Sequence, residues 1–567
     1  MDRRRLPRPL LLGLALAALT IAVYAPVVSF KFLNYDDYAY VLDNAHVASG
    51  VSLDNLRWAM TAFENGNWHP LTLAAHMLDV QVFGLNAGAH HAVNLVLHVA
   101  NVLLLFWLFT VATAQPWPAA LVAALFAIHP LNVQTVAWIA ERKSLLSTAF
   151  WLLALLAHVR YRKERSGRSY ALVVALAALA LSAKPMAVTL PLTLVLFDVW
   201  PLAAKPRGRG SRLAGYAREL APFLILAALC GVLTLAAQGE AHALQSVTAY
   251  DLKTRLANAV VAYVWYLKSM IWPAGLAAFY PHPMTQIATG AVSACLVVLL
   301  VICSGVIAAG RRFPAAAMGW WWYVGTMLPV VGIIQVGSQA YADRYAYVPL
   351  VGIFVIIAWS LVRVSSGVAA RWRRLVAGLA VVWIASLALV TRAQLPYWRD
   401  SVALFERAIE VVPDNALAHN NLGMALVERR QIPEALPHFE RAVAIAPWDT
   451  DARSNMANAL RALGRPAEAA AAYAKALEQA PDDASIHYNL ATALADLSRW
   501  DEATVHLIEA IRLDPRHVRA RLLLGTMLYK QGRSDEALAQ FREVARLDPA
   551  DPRAQEWVRR IEAAGGR

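Results

Sequence analysis

The sequence predicts an all-α protein in which a polytopic helical membrane domain precedes an array of helical repeats. Of its 567 residues, 59% are hydrophobic. Apolar runs long enough to form membrane helices recur until about residue 392. Beyond that point, prolines return at a fixed spacing of 34 residues. We place the domain boundary between residues 395 and 396.

Eleven apolar segments are predicted to cross roughly 30 Å of hydrocarbon as helices, some of them tilted or broken. They are residues 10–28, 89–113, 116–131, 144–160, 170–183, 186–203, 219–237, 289–309, 315–334, 346–365 and 375–392. The first is longer than a signal-peptide core and lacks a small-x-small cleavage site, so we expect an uncleaved helix. Residues 253–280 carry Lys268, Trp272 and Tyr280 and suit a re-entrant or headgroup-level position.

Basic residues cluster in short loops between the apolar segments, although the net charge is +13. Such clusters indicate membrane topology and not a nucleic-acid surface. They are Arg3 to Arg8, Arg160 to Arg168, Lys205 to Arg218, Arg311-Arg312 and Arg363 to Arg374. If these loops are cytoplasmic, residues 29–88, 132–143, 238–288, 335–345 and everything after 392 lie on the other side. The three cysteines all lie in apolar segments and offer no disulfide framework.

The C-terminal part repeats itself every 34 residues. Proline, a small residue and an aromatic or leucine recur in register at Pro413, Pro447, Pro481, Pro515 and Pro549, at Gly423, Ala457, Ala491 and Gly525, and at Phe439, Tyr473, Leu507 and Phe541. This period with small residues at helix contacts is the tetratricopeptide (TPR) pattern. We predict a half repeat with Phe405 and Ala408, four full repeats over 414–549, and a cap helix over 552–563. The array forms either a rigid spacer or a groove for a peptide or protein.

Two adjacent carboxylates, Asp36 and Asp37, follow the first apolar segment in an aromatic setting. A carboxylate at the membrane edge has a raised pKa and can act as a general base. The alternative is that the pair simply begins a solvated loop.

A polar stripe marks the second apolar segment. His91, Asn94 and His98 lie at spacings of three and four, and therefore share a helix face. Together with His69 of the first outer loop they are candidates to line a cavity, and interhelical hydrogen bonding is the alternative for the stripe. The histidine spacing permits a metal, but no carboxylate accompanies the stripe. We therefore assign no metal site and no cofactor, without excluding a divalent metal.

Four cations are expected on the face that carries the acidic pair: Arg142, Lys143, Lys184 and Arg344. Individually, each residue fits a snorkelling or salt-bridged role, but together they could bind phosphate. The chain has no Walker loop, no dinucleotide fingerprint after a strand, no Gly-x-Ser-x-Gly and no His-Glu-x-x-His. An outward-facing enzyme without these motifs would use a group carried on a lipid phosphate.

Ordered motifs carry a resemblance to a known family. They are Asn34-Tyr-Asp-Asp, Trp68-His-Pro-Leu-Thr, His91-x-x-Asn94-Leu, His129-Pro-Leu, Ala140-Glu-Arg-Lys, Ala183-Lys-Pro, Trp272-Pro with Tyr280-Pro, and Asp343-Arg-Tyr. In this order, and with the repeat tail, the chain resembles the TMTC-type transmembrane and TPR-repeat family, which is similar to the protein O-mannosyltransferases of the GT-C superfamily. The resemblance covers nearly the whole chain.

The resemblance implies a GT-C-like glycosyltransferase that moves a sugar, mannose in the first instance, from a polyprenyl phosphate to Ser or Thr of a protein held by the TPR groove. The family's acidic motif maps onto Asp36 and Asp37, and Glu141 joins them as a catalytic candidate. The four cations would bind the donor phosphate. We expect a multi-pass protein of a bacterial inner membrane, with its active-site loops and TPR array extracytoplasmic. Two alternatives stay open: a lipid-linked oligosaccharide ligase or polymerase, and a non-catalytic membrane-anchored scaffold.

Overall fold

The computed structural model describes residues 8–203, 212–240, 251–283, 286–335, 337–367 and 369–565. The chain divides into two compact units, Met1–Val411 and Val412–Arg567. The predicted half-repeat helix therefore belongs to the first unit, and the domain boundary at 395 and 396 stays a prediction. Both units are built from helices, which confirms the all-α prediction.

Helices dominate the first unit. They are α1 (Arg8–Tyr24), α2 (Ala45–Ala48), α3 (Leu53–Thr61), α4 (Pro70–Phe83), α5 (Ala87–Thr113), α6 (Pro116–Ile128), α7 (Val133–Ala137), α8 (Arg142–Glu164), α9 (Gly167–Ala183), α10 (Leu190–Val199), α11 (Arg212–Glu240), α12 (Leu252–Ile271), α13 (Thr289–Ala309), α14 (Pro314–Met327), α15 (Leu350–Ser366), α16 (Ala370–Gln394) and α17 (Ser401–Val411). Two short strands, β1 (Tyr280–Pro281) and β2 (Gln339–Tyr341), pair antiparallel.

Within the described residues, six helical segments are long and apolar enough to cross a membrane: Arg8–Ser29, Ala87–Thr113, Ile139–Glu164, Ala214–Gly239, Thr289–Ala309 and Ala370–Trp398. The helices Pro116–Ile128 and Pro130–Ala137 form a further candidate, bent by 56°. Pro130 explains the bend, because proline cannot donate to the helix ladder and clashes with the preceding turn. The protein is therefore a membrane protein.

Three shorter apolar helices, Gly167–Ala183, Pro185–Val199 and Leu350–Ser366, coincide with predicted spans. The remaining predicted span, 315–334, corresponds to α14, which has 14 residues and extends about 21 Å. The number of crossings and their sidedness stay predictions. Residues 1–7, 204–211, 241–250, 284–285 and 336, which belong to the predicted basic and outer loops, lie outside the described residues.

Helices α14 and α15 cross at two glycines. A Cβ on Gly319 would lie 2.3 Å from the carbonyl oxygen of Gly352, and a Cβ on Gly352 would lie 2.2 Å from the carbonyl oxygen of Gly319. No side chain fits between backbones this close. Small residues at such crossings are what allows membrane helices to pack without a hydrophobic driving force.

Helix α17 is attached to the loop that leads into the acidic pair. The hydroxyl of Ser401 accepts a hydrogen bond from the Asn34 amide at 2.9 Å, and the Arg399 carbonyl accepts one from the Lys31 amide at 3.0 Å. Phe405 is buried, edge to face with Tyr35 at 6.0 Å. Helix α17, the last helix of the first unit, is therefore fixed to the loop that carries Asp36.

Paired helices form the second unit, as the TPR pattern predicts: α18 (Ala416–Glu428), α19 (Ile432–Ile445), α20 (Thr450–Ala462), α21 (Pro466–Leu477), α22 (Ala484–Asp496), α23 (Trp500–Leu513), α24 (Val518–Lys530), α25 (Ser534–Leu547) and α26 (Pro552–Gly565). The side chain six positions after each periodic proline bonds that proline's carbonyl; these side chains are His419, Arg453, His487, Arg521 and Gln555. The 34-residue period thus fixes the turn between repeats as well as the helix contacts.

Gly525→Ala is expected to lower the free energy of unfolding of the repeat unit by about 1–2 kcal/mol. A Cβ here would lie 2.9 Å from the Phe541 ring, and that ring is stacked on Trp557 at 5.3 Å and cannot retreat freely. Alanine's better helix propensity offsets only part of the strain. Urea unfolding of residues 412–567, followed by circular dichroism, measures the change. Thr526→Ala, one position along, should be nearly neutral, and a stabilising Gly525→Ala would contradict the packing.

Candidate active site

The two aspartates of the acidic pair have different environments. Asp37 is fully buried, and its two carboxylate oxygens accept backbone hydrogen bonds from Leu33 at 3.0 Å and Ala140 at 2.9 Å. Burial raises the pKa of the Asp37 carboxyl to about 7. Asp36 keeps 32% of its side chain exposed, and its Oδ2 lies 3.8 Å from Lys143 Nζ. Asp37 therefore ties the loop after the first helical segment to the segment before α8, and Asp36 is the partly exposed carboxylate of the pair.

Glu141 is a completely buried carboxylate at the start of α8, and it lies against three cations, two of which come from distant parts of the chain. Its oxygens lie 3.1 Å from Lys184 Nζ, 3.4 Å from Arg344 Nε and 3.9 Å from Lys143 Nζ. We call Glu141 with Lys143, Lys184 and Arg344 the cation cluster. Glu141 is enclosed by its partners, so its geometry is that of a counter-ion.

The charges of the cation cluster do not cancel. Its three cations share one carboxylate within the cluster, Glu141, and Lys143 alone has a second carboxylate within 4 Å, that of Asp36. Side chains so little exposed are poorly screened by solvent. An anion placed against Lys143, Lys184 and Arg344 would therefore be held strongly.

Aromatic rings fix the positions of the cations. The Arg344 guanidinium lies over the Trp138 ring at 5.4 Å and over Tyr345 at 5.0 Å, and Lys143 Nζ lies 4.9 Å from the centre of the Tyr40 ring. Tyr35 stacks on Trp138 at 4.7 Å. Such contacts hold a cation in place while leaving its N–H groups available to a ligand.

Strand pairing and two hydrogen bonds bring Arg344 to the site. Tyr280 of β1 pairs with Tyr341 of β2, and its hydroxyl donates to Asp343 Oδ1 at 3.0 Å. The Arg344 amide donates to Gln134 Oε1 at 2.8 Å. Burial raises the pKa of the Asp343 carboxyl to about 8. Asp343 thus serves to anchor the turn, and the next residue supplies the cation.

A cavity of about 320 Å³ is lined by two residues of the cation cluster, Lys143 and Lys184, whereas Arg344 and Asp36 lie outside its wall. Its polar lining side chains include Lys143, Lys184, Asn67, His69, Gln339 and Tyr345. The rest of its wall includes apolar side chains from the Lys184 turn, α11 and the segment after α14: Pro185, Met186, Val188, Leu235, Pro329, Val330 and Ile334. The cavity therefore suits a ligand with an anionic end and a hydrocarbon end.

Arg142, the fourth cation expected from the sequence, is not brought to this cluster. Its guanidinium donates to Asp79 Oδ2 at 2.6 Å, to the His90 carbonyl at 2.9 Å and to Asn94 Oδ1. The side chain is 1% exposed. Consecutive helix residues point in different directions, so the side chains of the neighbours Arg142 and Lys143 contact different groups.

Of the four residues expected to line a cavity, His69 lies in the cavity wall. The stripe residues His91, Asn94 and His98 are fully buried and bond backbone carbonyls of other segments: those of Lys31, Trp138 and Ala127, respectively. They are absent from the wall of this cavity, and their arrangement is that of interhelical hydrogen bonding. Gln238 and Gln335 also line the cavity, and no motif in the sequence points to them.

Tetratricopeptide repeat models match the C-terminal part of the chain. One matches residues 426–497 and 460–511, and a second matches residues 398–449 and 505–552. Among solved structures, YrrB, described as a TPR protein with an unusual peptide-binding site, matches with 26% identity over 29% of this chain and 84% of that chain, at a TM-score of 0.26. That low score supports no structural conclusion.

Curated relatives match the chain as well. Protein O-mannosyl-transferase Tmtc1 of Drosophila melanogaster is 31% identical over 197 residues, which are 33% of this chain and 23% of the relative. The curated relatives of this chain include TMTC proteins of Drosophila melanogaster, mouse and human. Human TMTC4 is 23% identical over a longer alignment, covering 73% of this chain and 64% of the relative. The TMTC-type resemblance is therefore confirmed, and the aligned region spans less than a quarter of Drosophila Tmtc1.

Proposed function

We propose that the chain is a membrane glycosyltransferase that moves a sugar, mannose in the first instance, from a polyprenyl phosphate to Ser or Thr hydroxyls of extracytoplasmic proteins. The observation that carries this proposal is the cavity whose wall contains Lys143 and Lys184 of the cation cluster together with apolar side chains. A polyprenyl phosphate has the same two parts, a phosphate and a hydrocarbon tail. The names of the TMTC relatives support the same activity.

In the reaction, the Asp36 carboxylate accepts the proton of the acceptor hydroxyl while that oxygen attacks the anomeric carbon. The bond between the anomeric carbon and the phosphate oxygen breaks, and polyprenyl phosphate leaves with the electron pair. Lys143, Lys184 and Arg344 stabilise the charge that develops on the phosphate. Attack from the face opposite the phosphate inverts the anomeric centre. Glu141 holds the three cations together and Asp37 holds the loop.

Transfer assays on the purified full-length chain test this proposal. Polyprenyl-phosphate mannose and a Ser/Thr-rich acceptor peptide are the substrates, and mass spectrometry of the peptide is the readout. A gain of one hexose supports the proposal. A long glycan, added from a lipid-linked oligosaccharide, would instead identify a ligase or polymerase. If the folded full-length chain modified the peptide with none of the polyprenyl-linked sugars supplied, the enzymatic assignment would be overturned.

Transfer is expected to decline as the pH rises through about 8 because of Lys184. Burial lowers the pKa of its ammonium group to about 8, although the neighbouring Glu141 opposes the shift. The cationic form, which the donor phosphate needs, is therefore complete below this pH and is lost above it. A pH–rate profile from 6 to 10 measures this decline. The Lys184→Arg variant keeps its positive charge over this range and should show no decline. A decline that is unchanged in this variant would exclude Lys184 as its source.

The Asp36 loop and the TPR array are proposed to share one compartment outside the cytoplasm. The bonds from Lys31 and Asn34 to Arg399 and Ser401 support this, because the segment that leads to the array is hydrogen-bonded to the loop. Single cysteines at exposed positions test it in whole cells. Asp43→Cys and Arg516→Cys should react with a membrane-impermeant maleimide, and Arg168→Cys should not. Opposite labelling of the first two would refute the shared compartment.

A further inference from the structure

We propose that His76, Asp79 and His90 bind one divalent transition-metal ion of the Zn²⁺ class, which clamps α4 to the start of α5. His76 and Asp79 are three residues apart on α4 and share one helix face, and His90 lies in the first turn of α5. This site is separate from the cavity and does not depend on the proposed sugar transfer.

The three side chains are already close to coordination distance. One ligand atom from each lies within 4.8 Å of the other two, and Asp79 Oδ2 is 3.7 Å from His90 Nδ1. In a tetrahedral zinc site with bonds of about 2.0–2.2 Å, neighbouring ligand atoms stand roughly 3.3 Å apart. Small side-chain rotations therefore bring the three onto one ion.

Unsatisfied nitrogens at the centre of the group point to a ligand. His76 is completely buried, and among the described residues neither of its ring nitrogens has a hydrogen-bond partner. Buried polar atoms without partners are rare in folded proteins and call for an explanation. A metal bound to one nitrogen of His76 would supply it.

His90 is oriented as metal-binding histidines usually are. Its Nε2 lies 3.0 Å from the Gly84 carbonyl, which can only accept, so Nε2 carries the proton. The lone pair is then on Nδ1, which has no hydrogen-bond partner in the described part of the chain. In metal sites, a histidine that binds the ion through one ring nitrogen commonly donates a hydrogen bond from the other to a backbone carbonyl, which fixes the orientation of the ring.

Arg142 is the main charged group against the site, and it contacts Asp79 directly. Its Nη1 donates to Asp79 Oδ2 at 2.6 Å. This ion pair explains why the Asp79 carboxylate can be buried, but it does not explain the unpartnered ring nitrogens of His76. Two imidazoles and one carboxylate favour zinc and similar metals, whereas Mg²⁺ and Ca²⁺ require mostly oxygen ligands.

The ion would also stabilise the candidate active site through its contacts with Arg142. Arg142 is held by Asp79 and by the His90 carbonyl at 2.9 Å, and it lies between Glu141 and Lys143 in the chain. A metal that fixes Asp79 and His90 therefore fixes the first turn of α8, where the cation cluster begins. Its role is structural.

Metal analysis of the full-length chain, purified in detergent with a tag free of histidine, tests the proposal. After loading with Zn²⁺ and gel filtration, elemental analysis should find about one Zn²⁺ per chain. His76→Gln and His90→Gln should hold less than about a tenth of that amount under the same conditions. The matched control is His91→Gln, a buried histidine next to His90 that lies outside the group, and it should retain the metal.

Two results would overturn the proposal. One is a wild-type chain that retains no Zn²⁺ after loading, which decides the matter even if the variants fail to fold. The other is a folded His76→Gln chain that retains the wild-type amount. Cobalt(II) adds a spectroscopic readout: the wild-type chain should show the visible absorption of a tetrahedral site with histidine ligands, and His76→Gln should not.

Discussion

Asp36→Asn is expected to slow glycosyl transfer by about a hundred- to ten-thousand-fold, the contribution typical of a general base. Asparagine keeps the size and the hydrogen-bonding capacity of the side chain but cannot accept the hydroxyl proton. Asp36 is part-exposed and has Lys143 at 3.8 Å as its ion-pair partner, so its loss should leave the fold intact. The measurement is the single-turnover rate of transfer from polyprenyl-phosphate mannose to a peptide.

Two variants make that result specific. Asp43→Asn removes an exposed carboxylate of the same loop and should transfer at the wild-type rate. Asp37→Asn removes a carboxylate oxygen that accepts a backbone amide, so it should reduce stability, which thermal unfolding in detergent detects. Asp36→Asn with full activity would eliminate the proposed base.

Glu141→Gln is expected to lower the free energy of unfolding of the membrane unit by about 3–5 kcal/mol, the usual cost of removing one partner from a buried ion pair. Lys184 and Arg344 would lose the carboxylate that lies 3.1 and 3.4 Å from them. They would then repel each other and Lys143 in surroundings that little water reaches. Unfolding by sodium dodecyl sulfate in mixed micelles measures the loss.

Glu164→Gln is the matched control, because it removes a carboxylate from the other end of α8. Glu164 pairs with Arg160 on an exposed surface, at 2.7 Å, and such pairs contribute at most about 1 kcal/mol. A similar loss in both variants would show that Glu141 is not the centre of the cation cluster. Saturating polyprenyl phosphate should restore part of the stability of Glu141→Gln, since the phosphate supplies a replacement anion.

Local patterns in the chain predict the fold class and part of the candidate site. The 34-residue period predicted the paired helices, because each repeat buries the same small and large residues against its neighbour. The apolar runs predicted the six long apolar helical segments of the described residues, since a span needs a minimum apolar length. The sequence predicts Lys143, Lys184 and Arg344 as cations near the acidic pair, and the structure gathers all three around Glu141.

Sequence by itself determined the apolar segments, the 34-residue repeat and the residue types that could bind a phosphate, because these depend on composition and spacing. Only the tertiary structure decided that the Asp37 carboxylate accepts two backbone hydrogen bonds while Asp36 stays partly exposed. It also decided that Arg142 pairs with Asp79 and does not join the cation cluster of Lys143. Adjacent residues have nearly identical sequence contexts. Their roles differ because each side chain points toward different neighbours, and those neighbours come from distant parts of the chain.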